Sequence, residues 1–329
     1  MTSGLPHAAA VRYGVAVRAR TPASSANLGP GFDSMALALD LHDEVSVEAY
    51  RPVPGEPTVR VEVSGQGKDA VPLTEDHLVV RSLRAGLAHA VAAGGAPAPE
   101  PGLHLTCHNA IPHGRGLGSS AAAIAVGLVL ARGLLAEPHL LDDEAIFALA
   151  TAAEGHPDNA SAALFGGCTL SWGDQSGHPR TVSLPVAPQL RAVVCVPDVE
   201  LATSRARAML PQLIPHSDAA FNAGRSALLT HAIGHRLDLL FAATEDRLHQ
   251  QQRAPAMPQT AALLAAVRAR GVAAVVSGAG PSLLVLGEGD APLSAVRDAL
   301  AQTPDGVGRG VGEWLVLSLP VDTTGTVLV

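Results

Sequence analysis

Three glycines, Gly114, Gly116 and Gly118, alternate through Pro112-His113-Gly114-Arg115-Gly116-Leu117-Gly118-Ser119-Ser120-Ala121-Ala122. Glycine accepts positive φ and has no Cβ to hold a ligand off the backbone. Successive N–H groups in such a run can form a concave nest for an anion. The apolar, Ala-rich segment Ala121–Ala131 follows, with strong helix propensity. A helix opening at the serines would add its free N–H groups and the positive end of its dipole. This chemistry suits phosphate, and hydroxyls at a helix start could also reach a metal ion. The same residues also suit a flexible turn ahead of a buried helix. The stretch is not a Walker A loop, because no Lys-Ser or Lys-Thr pair follows the last glycine. Nor is it GxGxxG, because Gly118 comes one residue early.

Other polar groups are concentrated at defined points. Asn27 and Asp33 flank Gly29-Pro30-Gly31, whose stiff and permissive residues could aim both side chains at one spot; Asn and Asp are also ordinary turn formers. Glu154-Gly155-His156-Pro157-Asp158-Asn159 follows a helical segment. A carboxylate there could take Mg²⁺, which prefers one or two carboxylates plus phosphate oxygens and water. The plainer alternative is a helix-ending turn with Asp158 capping the next helix. Ser277-Gly278-Ala279-Gly280-Pro281-Ser282 lies between two apolar strands, as a ligand-wrapping loop or a tight hairpin. Thr203-Ser204-Arg205-Ala206-Arg207 opens a helix, and Arg253 follows Asp246-Arg247-Leu248-His249-Gln250. The guanidinium fork suits a carboxylate or a phosphate.

The elements that must position these groups are mixed in order. Strands are expected at Val11–Ala19, Ala36–Leu41, Glu44–Ala49, Thr58–Val63 and Leu103–Asn109, with a loop over Thr21–Asp33. Leu78–Ala93 reads as a helix ending at Gly94-Gly95, and Asp142–Glu154 as a helix with carboxylates in its first turn, where the dipole favours them. The glycine loop therefore sits between a strand and a helix. Further strands are expected at Gly167–Trp172, Thr181–Leu184, Ala192–Val196, Val272–Ser277, Ser282–Leu286 and Glu313–Leu319. Helices are expected at Thr203–Met209, Asp218–His231, Ala261–Arg270 and Pro292–Ala301, with a domain boundary near the polar loop Gly173–Arg180. The weak βαβ rhythm favours α+β layers over a doubly wound sheet.

With 329 residues, 47% of them apolar, the chain can bury a substantial core. Its net charge of −8 provides no basic footprint for nucleic acid. Cys107, Cys168 and Cys195 are scattered, without metal-ligand spacing, as in a reducing compartment. Met1–Ala10 lacks a signal-peptide core, and no apolar run reaches the ~17–25 residues that span a membrane. A cytoplasmic protein without membrane or nucleic-acid partners is expected.

Taken together, Ser25–Ser34 (SANLGPGFDS), Pro112–Ala122, Glu154–Asn159, Thr203–Pro211 (TSRARAMLP) and Ser277–Ser282 resemble, in order, motifs of the GHMP kinases, and within them the homoserine kinases. The resemblance implies an α+β fold with two parts. Residues 11–175 would form an N-terminal ATP-binding domain similar to domain 2 of ribosomal protein S5, and 176–329 a C-terminal ferredoxin-like domain. It implies ATP-dependent phosphorylation of the side-chain hydroxyl of L-homoserine in threonine biosynthesis. Pro112–Ala122 would hold the ATP phosphates, and Ser120 and Glu154 would bind Mg²⁺, with Ser119 beside them. Asn27, Asp33, His156, Asp158 and Asn159 would line the homoserine pocket, with Asn27, Asp33, Ser120 and Glu154 closest to the chemistry. Arg207 and Arg253 would clamp the carboxylate, with Thr203 nearby. A homodimer is common in that family. The position aligned with the family's adenine-contacting Asn is His77. Other GHMP kinases, acting on mevalonate, phosphomevalonate or a sugar, and a non-catalytic nucleotide-binding regulator are the alternative readings.

Overall fold

The structure is a computed structural model that describes residues 11–94, 100–302 and 314–329. Met1–Ala10, Gly95 and Glu313, used in the sequence reading, lie outside the described residues. The first half of the chain contributes β1 (Ala16–Ala26), β2 (Met35–Tyr50), β3 (Val59–Gly65), α1 (Leu78–Ala92), β4 (Gly102–Asn109), α2 (Ser119–Leu134), α3 (Asp143–Glu154), α4 (Asp158–Phe165), β5 (Cys168–Gly173) and β6 (Pro179–Leu184). The second half contributes β7 (Leu190–Val196), α5 (Thr203–Ala208), α6 (His216–His235), α7 (Leu240–Ala243), α8 (Gln250–Arg253), α9 (Pro258–Arg268), β8 (Ala273–Val276), β9 (Leu283–Glu288), α10 (Ala291–Gln302), β10 (Leu315–Leu319) and β11 (Val327–Leu328).

Two sheets result. The first runs β11-β1-β2-β4-β3, with β5 joining β2 and β6 joining β5; the second runs β10-β7-β9-β8. Sheet membership changes after Leu184, and the C-terminal β11 returns to pair with β1. Among the described residues only β3 and β4 are parallel, so a crossover must join them, and α1 supplies it. One core packs α1, α2 and α3 on the first sheet through residues such as Leu83, Leu105, Leu128 and Phe147. A second core lies between the halves, with Leu28, Met35, Leu37, Ile111 and Leu117 against Leu190, Val194, Ile233, Val275 and Leu284. The loops of the two halves are thereby clamped together. No helix among the described residues is long and apolar enough to cross a membrane.

Several local readings change. The first strand covers 16–26 rather than 11–19, so Thr21–Ala26 of the expected loop are strand. Their small side chains, which read as turn formers, are buried: Ala26, Ala36, Ala38 and Ala162 pack as a tight cluster that larger residues would not fit. The two strands expected at 36–41 and 44–49 are one strand, β2. The apparent gap is a bulge, because Pro22 pairs with His42 while Ala23 pairs with Leu39. The short helices α7 and α8 and the final strand β11 were not expected, and α8 carries Arg253.

Candidate active site

The glycine-rich stretch connects β4 to α2 and is pinned from outside through its carbonyls. Leu201 N–H donates to Gly114 O at 3.0 Å, Ser282 N–H to Arg115 O at 3.3 Å and Ser24 N–H to Leu117 O at 3.1 Å. Ser277 Oγ donates to Gly116 O at 2.6 Å. Among the described residues, no backbone N–H from Gly114 to Ser120 donates a hydrogen bond within the protein. Leu117 is buried, the other residues of the run are half-buried or exposed, and the unpaired N–H groups at this helix start are free to meet an acceptor-rich ligand. Gly116 (φ 74°) and Gly118 (φ 67°) are left-handed, and Gly118 caps α2. A Cβ on Gly116 would strike Ser277 O, and one on Gly118 would strike Ser24 Oγ.

The start of α2 faces the end of α3. Ser120 Oγ donates to Glu154 Oε1 at 2.8 Å. Burial pushes the Glu154 carboxyl above its ordinary range, against the hydrogen bond from Ser120. The pair offers hydroxyl and carboxylate oxygens, a donor set suited to Mg²⁺. Beyond the Gly155 turn, His156 Nδ1 lies 2.7 Å from Asp158 Oδ1, and that bond raises the His156 pKa. Asp158 Oδ1 also accepts from Asn159 N–H at 2.7 Å, and Asn159 Oδ1 accepts from Ser24 Oγ at 2.9 Å.

The β1–β2 connection supplies the opposite wall. Asn27 (φ 71°), Leu28 (φ 48°) and Asp33 (φ 54°) all hold left-handed backbone, which is costly for non-glycine residues and is found where a site over-determines it. Asn27 Nδ2 donates to Gly278 O at 2.7 Å, and its Oδ1 accepts from Asp33 N–H at 3.0 Å. Arg207 donates to both Asp33 oxygens at 2.9 Å. Arg253 is 1% exposed and, among the described residues, has no carboxylate partner. Its guanidinium lies over the Phe32 ring at 5.3 Å.

These groups border one cavity of about 430 Å³. The expected residues Asn27, Asp33, Pro112, His113, Gly114, Arg115, Gly116, Leu117, Gly118, Ser119, Ser120, Glu154, His156, Asp158, Asn159, Thr203, Arg207 and Arg253 all line it. Ala121 and Ala122 are buried in the packing of α2 and do not line it. The Arg115 guanidinium is already engaged, donating to Pro197 O and His113 O and pairing with Glu200. The hairpin Ser277–Ser282 is both a turn between β8 and β9 and a wall of the site, an overlap the sequence left open.

Sequence reasoning missed Asp43, Phe32 and His249. Two signals were available: Phe32 lies inside the Ser25–Ser34 motif, and His249 stands four residues before Arg253, one helical turn. Asp43 and His77 line the cavity, and the buried Nδ1 of His77 has no hydrogen-bond partner among the described residues. Asp43 Oδ1 accepts from Ala110 N–H at 2.7 Å and Ile111 N–H at 2.9 Å, while burial pushes its carboxyl up to about 6. A raised folded-state value means the folded chain holds this proton more tightly. Asp43 therefore adds stability below the unfolded value of 3.8, and that contribution is lost as the pH rises to about 6. Asp43→Asn keeps an oxygen for both N–H groups and cannot titrate. Its Tm, followed by circular dichroism, should respond less to pH across that window than the Tm of the unaltered chain. Equal slopes would place the titration elsewhere.

The profile of the GHMP kinases N terminal domain matches residues 77–167, and that of the GHMP kinases C terminal domain matches 225–305. The chain is 47% identical over 317 residues to the homoserine kinase of Clavibacter michiganensis subsp. michiganensis, covering 96% of this chain and 95% of the relative. It is 46% identical over 310 residues to the homoserine kinase of Streptomyces coelicolor, covering 94% and 96%. Among solved structures, homoserine kinase from Cytophaga hutchinsonii superposes with a TM-score of 0.78 at 25% identity, covering 95% of this chain and 97% of that one. L. major mevalonate kinase in complex with R-mevalonate shares the fold alone, with a TM-score of 0.64 at 15% identity over 96% of this chain and 100% of that one.

Proposed function

Because the chain belongs to the GHMP kinases and has their two-domain α+β fold, we propose that it phosphorylates the side-chain hydroxyl of L-homoserine with ATP, giving O-phospho-L-homoserine for threonine biosynthesis. The observation that carries the proposal is that Gly114–Ser120, whose N–H groups have no protein acceptor among the described residues, line the same cavity as the buried Arg253, which is in ion-pair contact with no carboxylate among those residues. One end of the cavity suits a polyphosphate and the other a small carboxylate.

In this reading Gly114–Ser120 and the start of α2 bind the ATP phosphates through backbone N–H groups and the helix dipole. His77, with its unpartnered Nδ1, faces the base. Ser120 and Glu154 would hold Mg²⁺, which when bound neutralises charge on the phosphates. Arg207 and Arg253 meet the homoserine carboxylate, with Thr203 beside them. Asn27, Asp33, His156, Asp158 and Asn159 shape the remaining wall and orient the ammonium and hydroxyl. Both Asp33 oxygens accept from Arg207, so Asp33 positions rather than abstracts. A loose transition state does not require a fully deprotonated alcohol. The chain's contribution is alignment and preorganised charge, which are worth several kcal/mol. A homodimer and a cytoplasmic location belong to the same proposal.

A coupled ADP-release assay with homoserine, mevalonate and galactose tests the substrate. Turnover with homoserine alone supports the proposal, whereas preference for mevalonate, which has no ammonium, overturns it. EDTA should abolish turnover, and Glu154→Gln should lower kcat by about 100-fold with little change in either KM, the pattern of a group acting on developing charge. Full activity in EDTA would remove the metal from the mechanism.

A further inference from the structure

Arg253 is held by a group outside the expected site. His249 is completely buried. Its Nε2 lies 2.8 Å from Gly29 O, and its Nδ1 lies 3.2 Å from Arg253 Nη1. A carbonyl can only accept and a guanidinium can only donate. The hydrogen is therefore on Nε2, Nδ1 presents a lone pair, and the ring is neutral. Protonation would set an N–H against the guanidinium. Burial disfavours that protonation, although Asp246 Oδ2 lies 3.8 Å from Nε2 and Asp33 also acts in its favour.

The arrangement joins two elements distant in sequence. Gly29 follows the left-handed residues Asn27 and Leu28, and Phe32 of the same connection stacks on His249 at 5.1 Å. Arg253 Nε donates to Ala206 O at 3.3 Å, and Nη1 also approaches Gly278 O at 3.4 Å. His249 is itself fixed by Asp246, whose carboxylate accepts the N–H groups of Leu248, His249 and Gln250 at the start of α8. A flexible guanidinium is thereby confined at the cavity wall, with Asp33, Asp246 and Asp158 acting on it from a distance and no carboxylate among the described residues in ion-pair contact with it.

We propose that His249 is a positioning residue, which through its neutral ring aims Arg253 at the substrate carboxylate and locks it to the connection that carries Asn27 and Asp33. The inference rests on the reading of Arg253 as a carboxylate ligand. Steady-state kinetics of the full chain test it with two acceptors, L-homoserine and 3-aminopropan-1-ol, which lacks the carboxylate, the latter as substrate or competitor. His249→Met, of similar volume, and the larger His249→Phe, both of which lose the two ring nitrogens, should raise the homoserine KM about tenfold. The KM for ATP and the apparent affinity for 3-aminopropan-1-ol should stay within about twofold of the unaltered chain. His249→Gln, with an amide NH₂ to donate and a carbonyl oxygen to accept, should recover most of the homoserine affinity. If neither apolar variant folds, His249→Asn, too short to span from Gly29 to Arg253, replaces them with the same expected split. An unchanged homoserine KM in the variants, or equal loss for both acceptors, overturns the positioning role. Arg253→Ala with an unchanged homoserine KM would instead overturn the carboxylate reading on which it rests.

Discussion

Gly116→Val is expected to abolish nucleotide binding and to lower Tm by several degrees. Two effects combine. The backbone at residue 116 has φ 74°, where a β-branched side chain is an outlier. Left-handed backbone alone costs roughly 1–2 kcal/mol for an ordinary residue. The added Cβ would also strike Ser277 O and come within 2.8 Å of Gly280 O. Those are backbone atoms of the neighbouring hairpin and cannot rotate away. The loop must then lift from the hairpin, which breaks the Ser277–Gly116 hydrogen bond and scatters the free N–H groups. A change confined to the loop would spare the fold, but this contact couples binding to stability. Gly55→Val is the control, because Gly55 has φ 89° and open space around it. It should show the strain cost in Tm with an unchanged KM for ATP. Calorimetric titration with a non-hydrolysable ATP analogue reads the binding. Wild-type affinity in Gly116→Val would reduce the loop to a turn.

Arg253→Ala is expected to lower kcat/KM for homoserine by 30-fold or more and to leave KM for ATP nearly unchanged. Removing one partner of a buried, hydrogen-bonded charge pair costs ~2–5 kcal/mol, and 2 kcal/mol is about 30-fold. The structure separates the two arginines that looked equivalent in sequence. Arg207 has a side chain 44% exposed and already holds Asp33 with two bonds. A substrate carboxylate must compete with Asp33 for it, so Arg207→Ala should cost less, about 5- to 10-fold. Arg253 is buried and has no such competitor. Homoserine amide, which lacks the carboxylate charge, should discriminate little between the unaltered chain and Arg253→Ala. Wild-type homoserine kinetics in Arg253→Ala would dismiss it as a substrate ligand.

The phosphate-binding stretch was legible because its chemistry is local. Gly114, Gly116, Gly118 and the serines lie next to one another, and a nest followed by a helix start needs only adjacent backbone. The helix α3 was legible from its acidic first turn, and the structure adds that Asp142 caps it by accepting from Ala145 N–H. Motif order along the chain was enough to indicate the family. Thr21–Ala26 was misread because small polar residues are common to turns and to crowded strands. Only the packing of Ala26 on Ala36, Ala38 and Ala162 separates the two.

What the sequence by itself determined was chemistry carried by neighbours in the chain: a glycine-rich anion nest at a helix start, a hydroxyl for a metal, and arginines available for a carboxylate. What only the tertiary structure decided was which of these groups meet and which are already occupied. Ser120 and Glu154 are joined across two helices, Arg207 is taken by Asp33, Arg115 is turned to Glu200, and Arg253 has no carboxylate in ion-pair contact among the described residues but is held by His249. Those pairings span long sequence separations and are set by the packing of two sheets against a shared core. Whether a buried charge is neutralised or free depends on its neighbours in space, and a linear pattern carries no record of that distance.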